Sequence, residues 1–207
     1  MSNVHVLNHP LAKTYLATLR DKNSAADVFR AQAKRLAYML ALEITNDIKV
    51  KPQTIKTPIK KTEESVLDES IALVPILRAG LGMVEPFTDF LPDAKVYCYG
   101  AYRNEETHQP VPYYNKLDEY EMVDTAYVLD PMLATGGSAI ITIDALKEWG
   151  VQRIKFAGLI GAPEGVEALH KAHADVEIYL AALDEGLNEN AYIVPGLGDA
   201  GDRIFNS

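Results

Sequence analysis

Short apolar stretches alternate with helix-like apolar patterns along most of this sequence. Five mostly apolar stretches have the length of a buried strand: residues 71–77, 96–101, 126–129, 154–160 and 176–183. Apolar residues three and four positions apart predict helices over 10–19, 29–44, 83–90, 138–149 and 163–170. Because strands and helices alternate, we expect an α/β fold with a central, mostly parallel sheet and helices on both faces.

The segments outside these elements are polar, and each predicts a different surface structure. Residues 1–48 carry the N-terminal helices, and residues 49–61 are basic and contain two prolines, which predicts an exposed strand or arm. Residues 63–69 are acidic and are expected to form a turn or a short helix. The polar segment 103–117 predicts a surface flap, and residues 184–207 predict an irregular C-terminal hood.

Composition limits the class of function. The 207 residues have a net charge of −9 and are 48% hydrophobic, which predicts a single domain over residues 1–207. The negative charge argues against nucleic-acid and anionic-membrane binding, which depend on clustered Lys and Arg. The N-terminus lacks a signal-peptide pattern, and no apolar stretch reaches the roughly 18 residues of a membrane helix, so we expect a cytoplasmic protein. Cys98, the single cysteine, is expected to be a small buried hydrophobe.

Residues 126–138 combine a short apolar strand, an acidic residue and a glycine loop that opens a helix. The glycines let the backbone approach an anion closely, and a helix N-terminus presents free N–H groups and a partial positive charge. Thr135 and Ser138 add hydroxyl donors. The stretch therefore predicts a phosphate site, with Asp130 beside it facing sugar hydroxyls or a hydrated cation.

Two further segments carry candidate binding groups. Arg78 directly follows a predicted strand, and ligands of parallel α/β folds bind beyond the carboxyl ends of strands, where Asp130 is also expected. The donor fork of an arginine suits a phosphate-rich ligand. Residues 196–201 fit the pattern Gly-x-Gly-x-x-Gly, but the chain ends too soon for the strand–turn–helix unit of a dinucleotide site. We expect a pocket lined by backbone there instead.

The stretch Asp130-Pro-Met-Leu-Ala-Thr-Gly-Gly-Ser138 resembles the phosphoribosyl-pyrophosphate (PRPP) loop of type I phosphoribosyltransferases. Most of that superfamily has two adjacent acids where this chain has Asp130 and Pro131. The Asp-Pro variant, with Ile76-Leu-Arg-Ala-Gly80 and Tyr192-Ile-Val-Pro-Gly-Leu-Gly-Asp-Ala-Gly-Asp-Arg203, is similar to the uracil phosphoribosyltransferase family. The resemblance implies the type I phosphoribosyltransferase fold and transfer of the phosphoribosyl group from PRPP to uracil, giving UMP and pyrophosphate.

The resemblance also implies roles for individual residues. The implied catalytic residues are Arg78, Asp130 and Arg103, of which Arg103 lies at the base of the flap. The residues implied to bind PRPP are Arg78, Arg103, Asp130, Pro131, Met132, Leu133, Ala134, Thr135, Gly136, Gly137, Ser138 and Asp199. Those implied to bind uracil are Ile193, Gly198, Asp199 and Ala200. A backbone C=O with flanking N–H groups would match the N3–H and two carbonyls of uracil.

Mg²⁺ is the cofactor that the resemblance implies. Since Pro131 replaces one acid, we expect PRPP and water to carry the ion, without a protein metal ligand. The resemblance further implies a homodimer or higher homo-oligomer and, in some members, activation by GTP, for which the sequence shows no site. Three alternatives are a pyrimidine-sensing RNA-binding regulator with this fold, a phosphoribosyltransferase for another base, and a nucleotide kinase, whose Walker A lysine is missing here.

Overall fold

The computed structural model describes residues 3–103 and 110–207, with Arg103 described by its backbone alone. The strands are β1 (Val4–Val6), β2 (Val50–Lys56), β3 (Lys61–Leu67), β4 (Ile71–Leu77), β5 (Lys95–Val96), β6 (Tyr99–Arg103), β7 (Pro110–Tyr114), β8 (Thr125–Leu129), β9 (Met132–Leu133), β10 (Arg153–Gly161), β11 (Glu177–Leu183), β12 (Gly186–Leu187) and β13 (Ile193–Val194). The helices are α1 (Pro10–Arg20), α2 (Ala26–Ile44), α3 (Leu81–Phe90), α4 (Gly137–Trp149), α5 (Pro163–Ala172) and α6 (Ala200–Phe205), with a 3₁₀ turn at Leu117–Glu119.

Within the described residues, a nine-stranded sheet forms the centre of the fold. Its order is β1-β11-β10-β8-β4-β6-β7, with β5 paired to β4 and β9 paired to β10. These pairs are parallel, except that β6 and β7 are antiparallel. The order makes β4 and β8 neighbours, so their carboxyl ends lie side by side at one end of the sheet. The predicted α/β fold with a mostly parallel sheet is confirmed.

Helices cover both faces of this sheet. Along β4, Leu73 packs with one layer and Val74 with the other, because successive strand residues point to opposite faces. The first layer contains α1, α2, α3 and α6, and the second contains α4 and α5. Phe29 of α2 and Ile143 of α4 are fully buried, and each such side chain contributes about 1.5–3 kcal/mol to stability. No helix in the described ranges has the length and apolarity needed to cross a membrane.

The helix boundaries follow from local sequence. Pro10 and Pro163 lie in the first turns of α1 and α5, where the missing N–H costs no hydrogen bond. Gly150 ends α4 with a φ of 115°, which allows its N–H to donate to the carbonyl of Leu146 at 3.1 Å. Proline at the start and glycine at the end therefore fix the lengths of helices whose positions the apolar pattern predicts.

Some segments differ from the expectations. Residues 63–69 were expected to form a turn or short helix, which is wrong: strand β3 pairs antiparallel with β2 along its whole length. Pairing with β2 satisfies the backbone hydrogen bonds of this polar segment. The segment lacks the alternation of apolar and polar residues from which a strand could have been predicted. Residues 96–101 were expected to form one strand and are divided between β5 and β6. Residues 184–207, called the tail from here on, were expected to form an irregular hood and contain the hairpin β12–β13 and helix α6. Cys98 is half-buried rather than buried.

Candidate active site

The loops that follow β4 and β8 meet at the carboxyl end of the sheet. The two strands pair in parallel, so Arg78 and Asp130, which follow their last residues, emerge from neighbouring strands. A cavity of about 580 Å³ opens there. It is lined by Leu77, Arg78, Ala79, Ala101, Tyr102, Tyr113, Asp130, Met132, Ala134, Asn190, Ala191, Tyr192, Asp199, Ala200 and Gly201.

Arg78 belongs to a tight turn between β4 and α3. A Cβ atom on Gly80 would lie 2.3 Å from the carbonyl oxygen of Leu129, so only glycine lets this turn pack against the end of β8. The peptide bond preceding Arg78 is cis. The Arg78 guanidinium is exposed, 3.7 Å from the carboxylate of Asp202 and 5.7 Å from the centre of the Phe205 ring. The turn therefore presents a cation at the cavity, beside helix α6.

A smaller cavity of about 140 Å³ lies at the N-terminus of α4 and is lined by residues 130 and 132–139. Gly136 has a φ of 82°, which glycine adopts without strain and which turns the loop into the helix. The first N–H groups of an α-helix have no partner within the helix, and here they belong to residues that line this cavity, as do Thr135 and Ser138. The arrangement suits an anion such as a phosphate group.

Gly165, in the first turn of α5, determines how closely that helix approaches the loop. A Cβ atom on Gly165 would lie 2.4 Å from the carbonyl oxygen of Ala134 and 2.7 Å from that of Leu133. Any side chain there would push the loop away from α5. Sequence reasoning missed this residue; the available signal was a glycine in a predicted helix, where alanine is about 1 kcal/mol more favourable.

Asp130 is half-buried where the two cavities meet. The pKa of its carboxyl is raised to about 7, chiefly because burial disfavours the charged form; the negative charge of Asp199 acts in the same direction. A hydrogen bond that the N–H of Met132 donates to Asp130 Oδ1 at 3.3 Å opposes the shift. Hydroxyl donors or a cation at this carboxylate would favour its ionised form.

The raised pKa of Asp130 predicts a pH-dependent stability. An aspartate in the unfolded chain ionises near pH 4, so from about pH 4 to about pH 7 the folded protein binds more protons, and its stability falls as the pH rises. Asp130→Asn removes this titration. We expect the melting temperature of the variant to rise relative to wild type by on the order of 5–10 °C between about pH 5 and about pH 8, measured by calorimetry without ligand. A difference that is independent of pH would contradict the raised pKa.

The C-terminal tail closes one side of the larger cavity. Asp199 is the N-cap residue of α6, and its Oδ1 accepts a hydrogen bond from the N–H of Asp202 at 2.9 Å. The cap holds Ala200 and Gly201 against the cavity. Gly198 precedes the cap with a φ of 82°, so the backbone changes direction just before it reaches the cavity.

Most of the predicted site residues line one of the two cavities. Those at the larger cavity are Arg78, Asp130, Met132, Ala134, Asp199 and Ala200, and those found at the smaller one alone are Leu133, Thr135, Gly136, Gly137 and Ser138. Of the predicted residues whose side chains the structure describes, three line neither cavity: Pro131, Ile193 and Gly198.

Pro131 and Ile193 are buried next to the cavities instead. The carbonyl of Pro131 accepts hydrogen bonds from the N–H groups of Leu159 and Ile160, each at 3.0 Å, which ties the loop to β10. Gly198 is a sequence neighbour of the lining residue Asp199. The side chain of Arg103 lies outside the described residues, and its backbone follows the lining residue Tyr102.

Sequence reasoning also missed aromatic residues at the cavity. Tyr102 of β6 and Tyr113 of β7 both line it; they are 50% and 54% exposed, with ring centres 6.2 Å apart. Tyr192 lines it from the tail. At the start of β7, Pro110 packs so closely that a Cβ atom on Gly137 would lie 3.2 Å from its ring. The sequence shows tyrosines on either side of a polar segment. Whether a given tyrosine faces the cavity depends on how β6 and β7 pair, which the sequence does not show.

The acidic groups at the cavity fit a divalent cation that enters with a ligand. Asp130 and Asp199 both line the cavity, where burial and, to a smaller extent, the charge of Asp199 raise the pKa of Asp130. Among the described residues, no group of three His, Cys, Asp or Glu side chains is placed to hold a metal. Mg²⁺ is commonly held by one or two carboxylates together with substrate phosphates, and this donor set meets that description.

The chain is similar to known proteins along nearly its whole length. The family model described as uracil phosphoribosyltransferase matches residues 6–207. A uracil phosphoribosyltransferase of Roseiflexus castenholzii is 52% identical over 207 residues, which is 100% of both chains.

Solved structures extend the comparison to the fold. A protein from Aquifex aeolicus has a TM-score of 0.92 at 37% identity, covering 98% of this chain and 97% of the other. An adenine phosphoribosyltransferase from Rhodothermus marinus is similar in fold alone, with a TM-score of 0.51 at 20% identity over 72% of this chain and 78% of the other. Because the family match and the relative's alignment extend over nearly the whole length, the chain belongs to the uracil phosphoribosyltransferase family.

Proposed function

We propose that the two cavities are the two halves of one active site, in which this enzyme transfers the 5-phosphoribosyl group of PRPP to uracil and forms UMP and pyrophosphate. The observation that carries the proposal is the boundary between them: Asp130, Met132 and Ala134 line both cavities, which a helix N-terminus, a cationic turn and a glycine-rich tail surround. PRPP has matching parts, since it joins a 5′-phosphate to a ribose and a pyrophosphate.

The smaller cavity is the proposed site of the 5′-phosphate. The N–H groups at the start of α4 and the hydroxyl groups of Thr135 and Ser138 provide donors. A phosphate fixed there places the ribose beside Asp130, at the entrance to the larger cavity. Fixing one end of PRPP in this way converts the attack of uracil into a reaction between oriented partners.

Arg78 is the proposed contact for the pyrophosphate. Cleavage at the anomeric carbon leaves negative charge on this group, and a cation held nearby stabilises that charge most in the transition state. The exposed guanidinium lies 3.7 Å from Asp202, so it exchanges a weak surface ion pair for a bidentate contact with phosphate oxygens. By family resemblance, Arg103 joins it from the flap and helps to exclude water, a competing nucleophile.

Asp130 is proposed to accept hydrogen bonds from the ribose hydroxyls. Only the ionised carboxylate is a pure acceptor. Burial raises the pKa of Asp130 because it disfavours the charged form, and hydrogen bonds from ribose hydroxyls would favour that form again. Mg²⁺, carried in mainly by PRPP, neutralises part of the pyrophosphate charge. Asp130 and Asp199 are the residues that would hold the hydrated ion, through its water ligands.

Uracil is proposed to bind to the tail, with backbone groups of Ile193, Gly198 and Ala200 and with Asp199 on the PRPP side. Uracil presents an N3–H donor between two carbonyl acceptors, so a backbone C=O between N–H groups recognises it. Gly198 has a φ of 82°, which glycine adopts without strain and which turns the backbone just before Asp199 and Ala200. Cytosine has an amino group in place of one carbonyl and lacks the N3–H, so two of these contacts would be lost.

The test is UMP formation from uracil, PRPP and Mg²⁺, followed beside reactions with cytosine, hypoxanthine and orotate. We expect kcat/KM for uracil to exceed that for cytosine by about 10⁴-fold, because the wrong base leaves polar groups of the pocket unpaired. Comparable turnover of cytosine would contradict recognition by the tail backbone. The control is the Kd of PRPP, measured by calorimetry in the presence of uracil and in the presence of cytosine, which should be equal.

We further propose that the enzyme is a homodimer or a higher homo-oligomer in the cytoplasm. The support is the arm β2–β3, whose first strand is exposed at every residue, with Val50 55% exposed and Ile59 in the connecting turn 90% exposed. A two-stranded hairpin alone is marginally stable in water, so another surface is expected to cover it. Activation by GTP stays a prediction of the family resemblance.

A further inference from the structure

Arg20 and Asp184, the first residue of the tail, form an ion pair outside the lining of both cavities. Arg20 is the last residue of α1 and Asp184 follows the last residue of β11. The guanidinium donates hydrogen bonds to both carboxylate oxygens, at 2.7 Å to Oδ2. The side chains are 24% and 3% exposed. A carboxylate this deeply buried needs its partner, because an uncompensated buried charge is strongly destabilising.

Both members of the pair also bind the same residue of the tail. Arg20 Nη1 donates to the carbonyl oxygen of Gly196 at 2.7 Å. Asp184 Oδ2 accepts a hydrogen bond from the N–H of Gly196 at 3.0 Å. The ion pair therefore fixes the backbone of Gly196 on its donor and its acceptor side, although 176 positions separate Arg20 from it.

Gly196 is the point from which the tail returns toward the cavity. It has a φ of 63°, and a Cβ atom on it would lie 2.1 Å from the carbonyl oxygen of Ile193. The turn thus brings Ile193 close to the chain that continues to Gly198 and Ala200. These are the residues proposed to bind uracil, so a shift of Gly196 would move one side of the uracil pocket relative to the other.

We propose that Arg20 and Asp184 are positioning residues for uracil recognition, which hold the turn at Gly196 so that Ile193 and the segment 198–200 face the base together. The inference rests on the proposed uracil pocket in the tail. Neither residue lines the cavities. The pair acts through the backbone of the tail. Asp199 is the one residue assigned to PRPP within the segment that the pair holds, and the PRPP loop and Arg78 are unaffected.

Other anchors hold the rest of the tail and provide a matched control. Arg203 donates to the carbonyl oxygens of Leu19 and Leu197 at 2.6 and 2.7 Å. Arg30 of α2 donates to the carbonyl oxygen of Ile204 at 2.9 Å, at the far end of α6. Arg30 is hydrogen-bonded to the same tail but not to Gly196. Arg30→Met therefore shows the effect of losing one tail contact while the turn at Gly196 keeps its own hydrogen bonds.

The experiment compares Arg20→Met, Asp184→Asn, Arg30→Met and Gly198→Ala. The last variant places a side chain at a φ of 82° within the proposed pocket itself. We expect Arg20→Met and Asp184→Asn to raise KM for uracil about tenfold or more, with the Kd of PRPP changed less than about twofold. Arg30→Met should leave both constants close to wild type. Melting temperatures and PRPP binding show that each variant is folded.

The outcomes are distinct. An unchanged KM for uracil in Arg20→Met, with a raised KM in Gly198→Ala, overturns the positioning role and leaves the uracil pocket in place. An unchanged KM in both variants overturns the pocket as well. The double variant Arg20→Met/Asp184→Leu removes both charges; a KM that stays raised supports positioning, and recovery to wild type would assign the defect to a stranded charge.

Discussion

Replacement of Arg78 by alanine is expected to lower kcat/KM for PRPP by about 10²–10³-fold, the loss found when one donor to a developing anion is removed. Arg78 lines the larger cavity and its side chain is 61% exposed. Its ion pair with Asp202 is a surface contact, which contributes about 0–1 kcal/mol. The melting temperature should therefore hardly change. Initial rates of UMP formation and the Kd of PRPP measure the effect.

Arg78→Lys is the matched control for charge. A lysine keeps the positive charge but loses the planar fork that binds two phosphate oxygens at once. We expect an intermediate rate, above that of Arg78→Ala and below wild type. Wild-type rates in both variants would remove Arg78 from the mechanism. If the only change were a raised KM for uracil, Arg78 would act on the tail instead, through Asp202 and Phe205, which lie near its guanidinium.

Gly165→Ala is expected to have the second-largest effect, although Gly165 contacts no substrate in the proposed site. The new Cβ atom would lie 2.4 Å from the carbonyl oxygen of Ala134, which is backbone and cannot rotate away. Overpacking of this kind costs about 1–3 kcal/mol. Displacement of the loop by about 1 Å is expected to lower kcat about 10²-fold. The free energy of unfolding in urea and single-turnover rates measure the two effects separately.

The same substitution in the first turn of α3 controls for the intrinsic effect of alanine on a helix. A Cβ atom on Gly82 would lie 2.9 Å from Cδ1 of Ile204, the far end of a flexible side chain. Gly82→Ala should therefore be close to wild type in stability. If Gly165→Ala were equally mild, the close approach of α5 to the loop would not matter for phosphate binding.

Local signals were sufficient for the main elements of the fold. Apolar runs such as 71–77 and 126–129 identify strands buried on both faces, because no polar side chain needs water there. Segment 63–69 shows the limit of such reasoning: its strand exists through pairing with residues 50–56, and no residue within the segment reveals the partner. Backbone hydrogen bonding between distant segments decides its conformation.

The candidate site likewise contains residues that the local sequence reveals and residues that only the packing of remote segments brings to it. Asp130 and the loop to Ser138 are contiguous in the chain, so a strand, an anion-binding loop and a helix start can be recognised together. Gly165 and Tyr113 are remote in sequence from that loop, and they become site residues because α5 and the flap strands pack against it. Their chemistry is ordinary, and no local pattern distinguishes them from other glycines and tyrosines.

The sequence by itself determined the alternation of strands and helices, the phosphate-binding stretch around Asp130 and, through its motifs, the family. These features depend on neighbouring residues, since periodicity and loop chemistry act over a few positions. The tertiary structure alone decided that Arg20 and Asp184 hold Gly196, that Gly165 supports the loop, and that burial raises the pKa of Asp130. These depend on distances between remote segments and on exclusion of water, which arise only when the chain is packed.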